Sequence, residues 1–249
     1  MKIFFITGTS RGIGEALAEQ LLAEDHHLFC LSRAENEQLI ERAIRSKTSM
    51  TYYPFDLNQL LKMESMFTAL FSMIPQDTEI TGFYLINNAG MLAPVAPIEQ
   101  NPAQSIIENV NINLLAPMII TANFLKHTRD FEGDKRIMNI SSGSARYLLP
   151  SQSCYSTSKA GLDSFSKSVS LEQLNQPYPA KVVSVYPGMI DTQMQAEMRS
   201  VPKADFPYVD QFIQFAEEGK LQTPEYTAAK IIELLFSEDF GSNVVVENL

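Results

Sequence analysis

Cysteine is nearly missing: two in 249 residues, Cys30 and Cys154. That count offers no disulfide framework and fits a reducing, cytoplasmic setting. Positive charge is scarce, with 19 Lys and Arg against 29 Asp and Glu and a net charge of −10. No basic stripe appears, which excludes nucleic acid and anionic membrane as expected partners. The apolar opening stretch from Lys2 to Ile6 is too short for a signal peptide and runs straight into a glycine turn. No run approaches transmembrane length, and no metal-ligating pattern, internal repeat, low-complexity tract or linker is evident. Hydrophobic residues make up 45% of the chain, enough for a sizeable core. A soluble single domain is expected.

Strand-like runs recur near 2–7, 28–32, 50–55, 83–87, 136–141, 181–186 and 243–247. Helical patterns separate them near 12–24, 34–46, 58–73, 101–127, 155–175 and 224–237. This alternation predicts an α/β fold, a doubly wound parallel sheet of about seven strands with helices on both faces. Ligands of such sheets lie beyond the carboxyl ends of strands. Gly8, Arg33, Asp56, Asn88, Ser142 and Pro187 each stand where a strand stops.

After the first run comes Gly8-Thr9-Ser10-Arg11-Gly12-Ile13-Gly14, then apolar residues at helical spacing. A strand, a glycine turn and a helix N-terminus present backbone N–H groups to a pyrophosphate. The spacing is Gly-x-x-x-Gly-x-Gly rather than the commoner dinucleotide fingerprint, and a tight turn without ligand has the same local pattern. About 20 positions beyond such a turn, an acidic residue would accept bonds from a ribose 2′-hydroxyl, whereas arginine suits a 2′-phosphate. Here Ser32 and Arg33 occupy that place, with Arg11 as a second cation. The expected cofactor is NADPH/NADP+ rather than NADH.

Ser142 precedes Tyr155 and Lys159, which lie four residues apart and so share one helix face. A nearby ammonium is expected to lower the pKa of the phenol and ease proton exchange with a substrate oxygen. Ser142 adds a hydroxyl donor where charge develops. A bare Tyr-x-x-x-Lys also describes an ordinary helix surface, so the glycine turn is needed to support the reading. Cys154 has no histidine in its local motif and is a weak nucleophile candidate. Residues 188–223 are too long for a simple strand-to-helix connection. Met189, Met194, Met198, Phe206, Tyr208, Phe212 and Phe215 give this segment apolar surface suited to a partly helical substrate lid. Packing for stability alone would look the same.

Taken together, Thr7-Gly8-x-x-x-Gly12-Ile13-Gly14, Asn87-Asn88-Ala89-Gly90, Ser142, Tyr155-x-x-x-Lys159 and Pro187-Gly188 resemble the short-chain dehydrogenase/reductase family over nearly the whole chain. The resemblance implies a catalytic set of Asn113, Ser142, Tyr155 and Lys159. By that pattern Tyr155 donates the proton, Ser142 polarises the carbonyl, and Lys159 holds the cofactor ribose. The same resemblance puts the pyrophosphate at Ile6, Gly8, Ser10, Arg11, Gly12, Ile13 and Gly14, and adenine near Asp56 and Leu57. Ribose is implied near Asn88, Ala89 and Gly90, and the nicotinamide carboxamide at Ile190 and Thr192, with Tyr155, Pro187 and Gly188 also among the implied cofactor-binding residues. Asn111 is also available, but Asn113-Leu114-Leu115-Ala116 fits the pattern better. Pro117, lacking an N–H, cannot bond to the Asn113 carbonyl, which leaves that oxygen for a water leading to Lys159.

Within the family the chain looks like the sepiapterin-reductase-like branch, and there like bacterial benzil reductases that form (S)-benzoin. The similarity rests on Ile112–Met118, Lys126-His127-Thr128, Asp191–Ala196 and Glu217–Leu221. It implies reduction of an apolar or aromatic ketone or vicinal diketone. A pterin reductase, an enoyl-thioester reductase and a non-catalytic NADP-sensing protein are the rivals, although enoyl reductases usually place the lysine farther from the tyrosine. The family's usual helical face suggests a homodimer. Two departures stand out: the ending Val244–Leu249 lacks a glycine-rich tail, and Arg146–Pro150 is particular to this chain.

Overall fold

The computed structural model describes residues 1–75 and 77–249. Its first strand, β1 (Lys2–Thr7), is apolar on both faces because both are covered. Consecutive side chains point to opposite sides, so Phe5 stacks on Phe29 at 5.0 Å in one layer while Phe4 stacks on Tyr84 at 4.7 Å in the other. The first layer also holds Phe67 and Phe124; the second holds Leu17, Ile86 and Ile231.

The remaining strands are β2 (His26–Ser32), β3 (Ser49–Pro54), β4 (Gly82–Asn87), β5 (Asp134–Ile140), β6 (Lys181–Val185) and β7 (Val245–Val246). They form one seven-stranded sheet in the order β3-β2-β1-β4-β5-β6-β7, parallel throughout. The chain reverses its direction of travel between β1 and β4. That topological switch opens a crevice at their carboxyl ends.

Helices α1 (Gly12–Gln20), α2 (Glu37–Arg45), α3 (Met63–Ser72), α4 (Ala103–Val110), α5 (Ala116–His127), α6 (Ser153–Gln173) and α9 (Pro224–Phe236) correspond to the predicted helical runs. Helix α1 stops short of the expected 24, where the His26 Nδ1 engages the Leu21 carbonyl at 2.7 Å and turns the chain into β2. Strand β7 is two residues long rather than five, its pairing reduced to Ser184 and Val185. Residues 188–223 contain two short helices, α7 (Gln193–Arg199) and α8 (Val209–Glu217). The base of this segment is closed by Asp191 N donating to the Gln222 carbonyl and Gln222 N to the Met189 carbonyl, both at 2.9 Å.

The expected helix at 101–127 has a widened turn inside it: Asn111–Leu115 is π-helical, with Ala116 N donating to the Asn111 carbonyl. Pro117 forbids the ordinary bond to Asn113, and its ring would crowd that carbonyl in a regular turn. Widening relieves both problems, and such turns recur at functional sites. The sequence reading found no run of transmembrane length. The structure corrects this: Ala103–His127 is long and apolar enough to cross a membrane by length and composition. Its Ala116, Ile120 and Phe124 belong instead to the core beneath the sheet.

Candidate active site

The glycine turn leaves β1 with Gly8 at φ +75° and Gly12 at φ +62°, conformations that a side chain resists. Gly14 is needed for a different reason. A Cβ there would stand 2.1 Å from the Gly8 carbonyl oxygen and 2.4 Å from Asn88 Nδ2. Arg11, at the N-cap of α1, makes no side-chain cap, so the first N–H groups of that helix stay available to an anion. Ile6 is buried in the sheet, and Ile13 packs against the core, leaving their backbone to line the turn.

Asn88 fastens the turn across the switch point. Its Nδ2 donates to the carbonyls of Thr7 at 2.9 Å and Gly8 at 3.3 Å. Thr7 returns the bond: its hydroxyl accepts from the backbone N–H groups of Asn88 and Ala89, both at 3.0 Å. Thr7 was quoted in the motif without a role, and this clamp supplies one. Beyond it, a Cβ on Gly90 would lie 3.2 Å from Asn113 Oδ1 and 3.6 Å from Lys159 Nζ. Gly90 therefore brings the segment clamped to the glycine turn close against Asn113 and Lys159.

At the far end of the turn, Arg33 and Arg11 belong to no ion pair among the described residues. Ser32 is engaged inward. Its hydroxyl lies 2.7 Å from the Ala34 carbonyl and 2.7 Å from the Tyr52 hydroxyl. Asn36 secures the neighbouring Ser10 carbonyl at 3.3 Å while capping α2. Asp56 accepts from Asn58 N at 3.0 Å. Leu57 is 9% exposed and packs into the core, so its backbone is what remains for a ligand.

Tyr155 and Lys159 lie on α6, with Lys159 Nζ 5.7 Å from the Tyr155 ring centroid. Both are buried. Lys159 Nζ donates to the Ile140 carbonyl at 2.7 Å. Burial pulls its pKa down to about 8, opposed by the carboxylate of Asp163 one turn along. Both Asp163 oxygens are held, by the hydroxyls of Ser184 on β6 and of Tyr186 just beyond it, at 2.6 Å each. The expectation for the tyrosine needs correcting. Its pKa is raised, because burial outweighs the lowering effect of a bond from Ser142. A phenol kept neutral in this way is in the state from which a proton can be given. Ser142 ends β5 and uses its Oγ to accept from Ser144 N at 3.1 Å.

Asn113 is fully buried, its Nδ2 donating to the Met91 carbonyl at 2.8 Å and its Oδ1 accepting from Met91 N at 2.9 Å. Asn109, absent from the sequence reading, lies beneath it. Asn109 Oδ1 accepts from Asn113 Nδ2 at 3.0 Å and from the Ser158 hydroxyl at 3.1 Å. Its Nδ2 donates to the Ala93 carbonyl at 2.7 Å. Two asparagines four apart on an apolar helix were the available signal, since both face one side.

On the other side of the crevice, Tyr155 packs with Leu92, Met198, Phe206 and Val209, and Met194 and Phe212 flank them. A groove of about 350 Å³ opens beside this cluster, lined by Leu92, Ala93, Val95, Glu197, Val201, Pro202 and Asp205. Thr192 faces Gly12, with its Cγ2 3.6 Å from where a Cβ on Gly12 would stand. Ile190 is buried at the base of the same segment, and Gly188 turns at φ +89°. Of these residues, Thr192 is the one brought to the glycine turn.

Comparison with known proteins shows the family. The family model for short chain dehydrogenase matches residues 2–203. A benzil reductase ((S)-benzoin forming) of Bacillus cereus is 42% identical over 99% of this chain and 98% of its own length. The enzyme of the same name from Bacillus subtilis is 34% identical over 94% of this chain and 93% of its own length. Among solved structures, the KRED1-Pglu enzyme superposes with a TM-score of 0.83 at 26% identity, covering 99% of this chain and all of its own.

Proposed function

The chain belongs to the short chain dehydrogenase family and is an NAD(P)-dependent carbonyl reductase; from that premise we propose that it uses NADPH to reduce an apolar or aromatic ketone, with benzil to (S)-benzoin as the type reaction. The observation that carries this is the Tyr155 phenol, buried beside Lys159 and packed in the apolar cluster of Leu92, Met198, Phe206 and Val209.

The residues present fit the cofactor. The positive-φ glycines and uncapped α1 N-terminus suit a pyrophosphate, and Arg11 and Arg33, in no ion pair among the described residues, suit a 2′-phosphate. Asp56 and Leu57 would flank the adenine, Asn88 to Gly90 the ribose, and Pro187, Gly188, Ile190 and Thr192 the nicotinamide. When bound, that group supplies the hydride. Tyr155 protonates the substrate oxygen, Ser142 donates to the same oxygen, and Lys159 keeps positive charge behind the phenol and holds the ribose. Pro117 cannot donate to the Asn113 carbonyl, so we assign that oxygen to a water leading protons toward Lys159. Helices α7 and α8 act as the substrate lid, whose methionines adapt to aryl groups.

The protein is read as a cytoplasmic homodimer, its two cysteines unpaired. Ile107 is 52% exposed on α4 and Leu171 65% exposed on α6, which leaves apolar helix surface for a second copy. A pterin substrate draws support from Glu197 and Asp205 at the groove, which can accept from ring amines. The test is a spectrophotometric panel of benzil, 1-phenyl-1,2-propanedione, sepiapterin and simple aldehydes, each with NADPH and NADH. Aryl diketones with NADPH should give the highest kcat/KM. Preference for sepiapterin or NADH would overturn the substrate or cofactor reading, and no turnover at all would favour an NADP sensor.

A further inference from the structure

Residues 90–95, which follow β4, form no backbone-to-backbone hydrogen bond among the described residues. The polar backbone of such a loop needs other partners, and two buried asparagines supply them. Asn113 closes on Met91 from both ends, as described above. Asn109 Nδ2 donates to the carbonyls of Ala93 at 2.7 Å, Leu92 at 3.3 Å and Met91 at 3.4 Å. Among the described residues, every hydrogen bond of this loop runs to one of those two side chains. The same loop gives Leu92, Ala93 and Val95 to the lining of the groove, and Leu92 shares an apolar cluster with Tyr155.

The other end of the Asn109 amide is anchored as well. Its Oδ1 accepts from Asn113 Nδ2 at 3.0 Å and from the Ser158 hydroxyl at 3.1 Å. An amide oxygen has two lone pairs and an amide nitrogen two protons, so both ends are fully engaged. Asn113 lies in the widened turn, and Ser158 immediately precedes Lys159 on α6. One fully buried side chain therefore ties the loop, the widened turn and the catalytic helix together. A leucine of similar size would fill the space but would tie nothing, and it would leave the polar groups around it without partners.

We propose that Asn109 is a positioning residue for the ketone: its amide holds the backbone of residues 91–93, and so the Leu92 and Ala93 side of the groove, in register with Tyr155 and Lys159 on α6. This rests on the aryl-ketone reading above and adds a residue behind it. Fully buried, Asn109 acts through the loop rather than by contact with substrate. Released from the amide, the loop drifts, and a ketone whose rings lean on it loses its fixed pose. A diketone without rings has less to lose.

The experiment is steady-state kinetics of the full-length protein with NADPH and either benzil or diacetyl, a vicinal diketone without rings. It compares Asn109→Leu, Asn109→Ser, Ser158→Ala and the Asn109→Leu/Ser158→Ala double variant with the unaltered chain, with NADPH titration and thermal unfolding alongside. Asn109→Leu should raise KM for benzil about tenfold, change kcat less than about threefold, and change KM for diacetyl and NADPH affinity less than about twofold. Asn109→Ser leaves room for a water and should move the same way by less, which keeps the test open should the leucine variant not fold. Ser158→Ala should give a small part of the rise, and adding it to Asn109→Leu should add nothing, since both act through one amide. A purely structural asparagine would only reduce the folded fraction, lowering apparent kcat for both diketones and leaving KM alone. That result, an equal rise in KM for both diketones, or additive effects of the two substitutions overturns the proposal. If the unaltered chain does not reduce benzil, the aryl-ketone reading falls and the role of Asn109 with it; if it does and the variants keep its KM, only the role of Asn109 falls.

Discussion

The two walls of the crevice are built by different physics. On the wall formed by β1, β4 and the glycine turn, position is set by backbone geometry and by hydrogen bonds of about 3 Å, as in the Thr7–Asn88 clamp. On the wall formed by α7 and α8, position is set by apolar packing among Leu92, Tyr155, Met198, Phe206 and Val209. The first is stiff and intolerant of a single added methyl group. The second yields, because flexible thioethers and rings can repack around a ligand. A pyrophosphate of constant shape suits the stiff wall, and ketones of varying shape suit the soft one.

Gly14→Ala is the harshest way to test that contrast. Its Cβ would fall 2.1 Å from the Gly8 carbonyl oxygen, a collision that only backbone movement relieves. We expect NADPH affinity to drop by more than about a hundredfold and stability by roughly 3 kcal/mol, read by fluorescence titration and thermal unfolding. Affinity within a few-fold of the parent would show that the turn is not stiff. Phe206→Ala removes a much larger, fully buried ring from the other wall. Burial of that kind is worth about 3–5 kcal/mol in a rigid core, but here we expect less, with KM for the ketone raised about tenfold and NADPH affinity unchanged. A loss of cofactor affinity would join the two walls into one unit.

A milder perturbation is pH. The Lys159 pKa of about 8 means that its ammonium is present below that pH and lost as pH rises through it. Tyr155 does not supply this limb, since burial pushes its ionisation upward. For reduction, kcat/KM should therefore fall above about pH 8. Asp163→Asn removes the carboxylate that favours the ammonium, so the limb should move to lower pH. A flat profile to pH 9.5, or a shift in the other direction, would contradict the assignment.

The same contrast explains what could be read from the sequence. Gly8, Gly12 and Gly14 announce a stiff turn because few residues tolerate positive φ or such close approach. Strand limits were legible to within a few residues, since burial on both faces demands continuous apolar runs such as Lys2–Thr7. Asn109 was not, because its partners at Ala93, Asn113 and Ser158 meet only after the loop, α4 and α6 have packed. The raised pKa of Tyr155 could not be read from a four-residue spacing either. That spacing gives the neighbouring cation, whereas burial comes from Leu92 and Phe206, far away in the chain.

The phenol of Tyr155 is the centre of the proposed chemistry. Tyr155→Phe removes one oxygen and keeps the ring packed against Met198 and Phe206. NADPH affinity should stay within about twofold while kcat for benzil falls by a factor of roughly 10² to 10⁴, the range for loss of a positioned acid. Undiminished turnover by that variant, with cofactor bound as before, would contradict the account.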